Sequence, residues 1–92
     1  MSSVQAGDAL ALNPKVSLRP EPFGALAYHF GNRKLSFLKE PALVEVVRAL
    51  EAHDSVLDAL RACDVPENKH AAYLKALGSL VDSDMVVPRA QS

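Results

Sequence analysis

The feature that most limits how this chain can fold is a change of hydrophobic period just after Leu38. Before that point apolar residues recur at every second position, as on a half-buried strand. After it they recur at about every three and a half positions, as on an amphipathic helix. A run of strands followed by a run of helices predicts an α+β domain.

The first predicted strand is Lys15–Arg19, with Val16 and Leu18 on one face and Ser17 and Arg19 on the other. Pro14 and Pro20 frame it and keep it short, because proline cannot donate to a ladder. The Pro20-Glu21-Pro22-Phe23-Gly24 stretch reads as a turn or loop. The second strand is Ala25–Phe30, and the Gly31-Asn32 pair predicts a hairpin into a third strand, Arg33–Leu38. There Leu35 and Phe37 share one side, Lys34 and Ser36 the other. If Leu35 and Phe37 face the core, replacing either with alanine costs on the order of a few kcal/mol. At a sheet edge, this strand offers unpaired backbone groups to another chain.

Three helices follow. Glu40-Pro41 is a helix start, since proline's missing N–H is harmless in the first turn. Leu43, Val46, Val47 and Leu50 then form one stripe, with Glu45, Arg48 and Glu51 on the wet side. Ser55 with Asp58 resembles a capping box and opens a second helix carrying Val56, Leu57 and Leu60, ending near Cys63. Asp64-Val65-Pro66-Glu67 opens the third, from about Glu67 to Asp84, whose stripe is Tyr73, Leu74, Leu77, Leu80 and Val81. Gly78 inside it costs roughly 1 kcal/mol relative to alanine, which points to close packing there. Met85-Val86-Val87 before Pro88 reads as a short extended end.

The 92 residues make one folding unit, expected over 13–88. Residues 1–12 read as a flexible tail in which Leu10 and Leu12 could pack on the domain, and 89–92 as a frayed end. A net charge of −1 gives no general attraction to nucleic acid or anionic membrane. The single cysteine, Cys63, reads as a small buried apolar residue in a reducing compartment. With no spanning apolar run and no secretory signal, the cytoplasm is the expected location.

No catalytic pattern emerges, and the chain is expected to be neither an enzyme nor a cofactor or metal binder. His29, His53 and His70 lack ligand spacing. His29 is expected on the solvent side of its strand and His53 in an interhelix turn. Gly7, Gly24, Gly31 and Gly78 are scattered, so no loop cradles phosphate. Cys63 has no evident partner base. Asp82 and Asp84, two apart on a helix, do not face each other. Residues 55–84 have a helix-turn-helix look, and the alternative reading is a winged-helix DNA-binding module. Lys69 and Lys75 against Glu67, Asp82 and Asp84 make a poor recognition helix, so no nucleic-acid partner is expected.

The runs from Asn13 to Leu26 and from Tyr28 to Leu38 resemble the peptide chaperones of mycofactocin biosynthesis, and the likeness extends over about residues 12–87. That family is similar to the PqqD-like peptide-binding domains, or RiPP recognition elements. The resemblance implies an N-terminal three-stranded antiparallel sheet followed by a three-helix winged-helix-like bundle. It implies binding of the leader of a ribosomally made precursor peptide (MftA-like). It implies presentation of that peptide to a radical SAM maturase (MftC-like), which itself would carry the iron–sulfur clusters. In relatives the leader adds to the third strand, beside the third helix. Carried onto this chain, the strand site is Arg33, Lys34, Leu35, Ser36, Phe37, Leu38 and Lys39, and the groove is Tyr73, Leu74, Leu77 and Val81. Part of that helical stripe must be core. Arg33, Lys34 and Lys39 make the edge locally basic, either to steer an acidic leader or as a solvated edge protected from aggregation. Proline at Ser36 is expected to abolish leader binding.

Overall fold

The computed structural model describes residues 3–89; the expectations for residues 1–2 and 90–92 lie outside the described residues. In chain order the elements are β1 (Leu10–Leu12), β2 (Val16–Glu21), β3 (Gly24–His29), β4 (Leu35–Leu38), α1 (Pro41–Ala49), α2 (Val56–Ala62), α3 (Glu67–Asp82) and β5 (Val86–Pro88). A 3-10 turn, Leu50–Ala52, continues α1. The fold is α+β, with one antiparallel sheet ordered β2-β3-β4 and a second made of β1 and β5.

The β2-β3 hairpin is tighter than the prolines suggested. Glu21 pairs with Gly24, so Pro22-Phe23 alone makes the turn, and β2 runs through Pro20. Phe30 donates its N–H to Lys15 O at 2.8 Å. Ladder pairs alternate from there, which leaves Val16, Leu18 and Pro20 with their backbone groups on the free side of β2. Pro20 therefore loses no ladder bond. Gly24 has φ +146° and its missing Cβ would collide with the carbonyl oxygen of Leu38, so only glycine fits this crossing.

The expected two-residue Gly31-Asn32 turn is instead a loop over residues 30–34. Arg33, not glycine, takes the left-handed conformation, at φ 62°. Its N–H donates to His29 O at 2.8 Å, and His29 N–H donates to Lys34 O at 3.0 Å. The third predicted strand is thereby shortened to Leu35–Leu38.

The sheet's inner face also differs from expectation. Ala25, Ala27 and His29 of β3 are buried, along with Val16 of β2 and Leu38 of β4. Leu35 and Phe37 point the other way and are 54% and 61% exposed. The cause is the close packing of α1 on β3: alanine side chains admit a helix where Leu26 and Tyr28 would hold it off. The condition for a core role at Leu35 and Phe37 is not met.

Against that inner face α1 buries Val44, Val46 and Val47, and Leu50 follows in the 3-10 turn. Ser55 Oγ accepts from Asp58 N–H at 3.2 Å, the expected cap of α2. Both α2 and α3 end with an aspartate in left-handed geometry, Asp64 at φ 57° and Asp84 at φ 62°. Val65 N–H then donates to Leu60 O, and Met85 N–H to Leu80 O, closing Schellman turns. Gly78 is buried, as its position inside α3 suggested.

The expected tail is largely attached. Leu10, Ala11 and Leu12 pair with Pro88, Val87 and Val86, and Leu10 is buried. Asp8 O and Ala6 O accept the N–H groups of Val56 and Leu57 at 2.8 and 2.9 Å, filling acceptor places that the first turn of α2 lacks internally. Arg89 is held as well: its N–H donates to Ala9 O and its guanidinium to Glu51 O, both at 2.9 Å. Among the described residues no helix is long and apolar enough to cross a membrane.

Candidate functional site

The order β2-β3-β4 leaves one side of β4 without a neighbouring strand. The His29–Lys34 bond sets the phase of the ladder, so Lys34, Ser36 and Leu38 turn their backbone groups to β3. Leu35 and Phe37 direct theirs outward. Ser36, the proposed site for a disruptive proline, is therefore a ladder residue: proline there breaks the sheet itself. Leu35 and Phe37 are the positions whose N–H groups face an incoming strand.

Alongside this edge runs a groove of about 390 Å³, walled by Leu35–Leu38, Leu43 of α1, and Ala76, Ser79, Leu80 and Ser83 of α3. A further cavity of about 230 Å³ continues past Phe37, Lys39, Glu40, Ala72 and Tyr73. On α3 the wall positions 72, 76, 79, 80 and 83 lie on one helical face. Most are alanine or serine, and their small side chains are what keep the space open.

Of the four helix residues expected to line a groove, the structure brings Tyr73 to it. Leu77 is enclosed in the core. Leu74 packs at a different cavity, with Ser3, Val4 and Gln5. Val81 is partly buried against the core and touches neither wall. The groove residues missed were Glu40, Leu43, Ala72, Ala76, Ser79, Leu80 and Ser83. For Ala72, Ala76, Ser79 and Ser83 the sequence signal is a stripe of small residues next to the apolar one, easily read as plain helix surface.

Tyr73 closes one end. Its hydroxyl donates to Glu40 Oε2 at 2.8 Å. Burial, the bond to Glu40 and the negative charge of Glu40 push the phenol above its ordinary value of 10.0. Lys39 lies exposed beside it, and Arg33 and Lys34 are exposed at the other end of β4. Among the described residues none of these three cations forms an ion pair.

The Arg33 end is fixed by a network around His29, which is 3% exposed rather than on the solvent side. Its Nδ1 accepts the N–H groups of Gly31 at 2.9 Å and Asn32 at 3.1 Å. The ring proton is therefore on Nε2, which donates to Asp84 Oδ2 at 3.0 Å. Asn13 Nδ2 donates to Asp84 O at 2.9 Å; at 3.3 Å from Nε2 it meets another donor and makes no bond there. The network ties the 30–34 loop to the end of α3. A Cβ on Gly31 would lie 2.8 Å from the His29 ring, so glycine permits this contact.

The other reactive side chains do not gather here. His53 caps the 3-10 turn and is half-buried, and His70 Nε2 donates to Val65 O at 2.9 Å. Cys63 is half-buried rather than enclosed, and burial, with Glu45 and Asp64, pushes its thiol up and away from the reactive thiolate. Among the described residues no three His, Cys, Asp or Glu side chains are grouped to hold a metal ion.

An open strand edge with an apolar groove beside it has the geometry of an acceptor for β-augmentation. Residues 9–87 match the peptide chaperone MftB family, and the chain belongs to that family. It is 54% identical over 78 residues to the peptide chaperone MftB of Mycobacterium ulcerans, covering 85% of this chain and 72% of that one. To the peptide chaperone MftB of Mycolicibacterium smegmatis it is 56% identical over 77 residues, covering 84% and 76%. Among solved structures the fold is similar to part of Escherichia coli MccB, with a TM-score of 0.59 for the ATP complex and 0.56 for the succinimide form. Identity there is 14% and 17%, and this chain spans about a quarter of that protein, 24% and 23%, so the likeness concerns fold alone.

Proposed function

We propose that this chain is a non-catalytic, cytoplasmic peptide chaperone of mycofactocin biosynthesis. It takes the leader of an MftA-like precursor as an added strand on β4 and presents the peptide to an MftC-like radical SAM maturase. The arrangement of β2-β3-β4 and the three helices is read as PqqD-like, with a winged-helix-like bundle. The observation that carries the proposal is the outward backbone of Leu35 and Phe37 along the groove between β4 and α3. Those groups bind with little regard to sequence, whereas side chains in the groove, Tyr73 and Leu43 among them, discriminate. Arg33, Lys34 and Lys39 steer an acidic leader toward the edge, an effect that weakens with salt. The nucleic-acid reading has less support, because α3 exposes Lys69 and Lys75 together with Glu67 and Asp82.

Isothermal titration calorimetry with the synthetic leader tests the proposal. One-to-one binding at micromolar affinity or tighter, about −8 kcal/mol or more favourable, is the expected result. Absence of heat at two temperatures from folded protein, with and without the maturase, overturns it.

A further inference from the structure

The outer face of the sheet changes character from one edge to the other. Its cross-strand rows are Ser17–Tyr28–Leu35 and Arg19–Leu26–Phe37. Each begins with a polar residue on β2 and ends with a large apolar one on the open edge. Phe23 extends the patch, its ring centroid 6.0 Å from that of Phe37, and Phe30 meets Tyr28 at 5.2 Å. Exposed edges are usually protected by charge or by proline. Here the edge residues Leu35 and Phe37 are instead more than half exposed.

Strand geometry says what would cover them. Side chains of an added strand alternate between the two faces, and those opposite Leu35 and Phe37 fall on the outer face with them. The residues in between point into the groove beside Ser36 and Leu38. We infer that the leader is read on both faces of the sheet: outward side chains of the added strand pack on Leu35 and Phe37 while inward ones fill the groove. Its core is then a run of consecutive apolar residues, not an alternating pattern. Acidic residues at its ends would meet Arg33 and Lys34 on one side and Lys39 on the other. This inference rests on the proposed strand addition to β4.

The test is an alanine scan of the synthetic MftA-like leader, titrated into the native protein and into the Leu35→Ser/Phe37→Ser variant. Both residues are exposed, so the variant should keep the native circular dichroism spectrum. Leu35→Thr/Phe37→Thr, which puts strand-favouring β-branched residues at both positions, is the second variant. With native protein, adjacent leader positions of both parities should weaken binding, each outward one about two- to fivefold. In the variants the outward positions should lose their effect while the inward ones keep theirs. Sensitivity at one parity alone, or outward effects unchanged in the variants, overturns the inference. A native dimer that the double variant dissolves in sedimentation, without change in leader affinity, gives the face to a second copy and also overturns it. If the unmodified leader fails to bind native protein at all, strand addition itself is wrong.

Discussion

The two edges of the sheet are built in opposite ways. On β2 the groups facing away from the sheet belong to Val16, Leu18 and Pro20. Val16 N–H is taken by Asn13 O at 2.9 Å, and Pro20 has none to offer. Leu18 is left as the one outward donor of β2 among the described residues. On β4 both outward positions, Leu35 and Phe37, keep their N–H groups and stand over a groove. One edge is closed to pairing by its own residues and the other is left open, so a partner strand has one side to approach. Edge chemistry, rather than sheet order, gives the molecule a direction.

That contrast can be broken first through the fold. Leu38→Ala removes a buried side chain from β4 and should cost about 2–5 kcal/mol in urea denaturation, whereas Leu35→Ala should cost less than about 1 kcal/mol. Equal losses would mean that the two faces have been assigned the wrong way round. Next, Ser36→Pro should destabilise by roughly 1–3 kcal/mol, because the lost ladder bond leaves its partner carbonyl on β3 unsatisfied. Phe37→Pro should stay folded by circular dichroism and weaken leader binding more than Phe37→Ser does, the extra about two- to tenfold being the worth of one hydrogen bond. Leu18→Pro, on the closed edge, should leave binding unchanged; a loss equal to that of Phe37→Pro would put the peptide on the wrong strand.

Smaller effects sharpen the picture at the ends of β4. Reversing charge at Arg33 and Lys34 should slow association in stopped-flow mixing and flatten its dependence on salt. An unchanged salt slope would make these residues a solvated edge and nothing more. The mildest effect concerns Tyr73. Its raised folded-state value favours the neutral phenol in the fold, so this stability is fully present below the ordinary value of 10.0 and is lost as pH rises through the folded value. In an ultraviolet titration, Tyr73→Phe should remove a tyrosinate step that lies above the ordinary value of 10.0. Loss of a step at or below that value would contradict the bond to Glu40.

Much of this architecture could be read from the chain, because period and caps are local. The switch after Leu38, the Pro41 start, the Ser55 cap and an extended stretch just before Pro88 all follow from neighbouring residues. The phase of β3 does not. Leu26 and Tyr28 alternate with Ala25 and Ala27, so both faces are apolar and period two cannot choose between them. The close approach of α1 chooses, and it selects the small residues. The pairing of β1 with β5 escapes for a different reason: three residues carry too little pattern, and their partners lie at the far end of the described chain. On α3, size misleads. Large residues such as Leu77 mark what is already filled, while Ala72, Ala76 and Ser79 mark the open space.

The pairing of Leu10 with Pro88 also fixes how the domain can be joined to other things. The chain enters β1 and leaves β5 side by side, and Arg89 still donates its N–H to Ala9 O. Ahead of Ala9 the chain turns away: Asp8 and Ala6 lie at the start of α2, and Ser3, Val4 and Gln5 lie against Leu74 of α3. A short bridge from Arg89 to Ala9 would therefore join the two strands but give up the acceptors that residues 6 and 8 lend to α2. A permuted chain, opened in the Pro22-Phe23 turn and joined across this junction, would keep β4 beside β3 with its outer side open while moving the chain ends to the top of the hairpin.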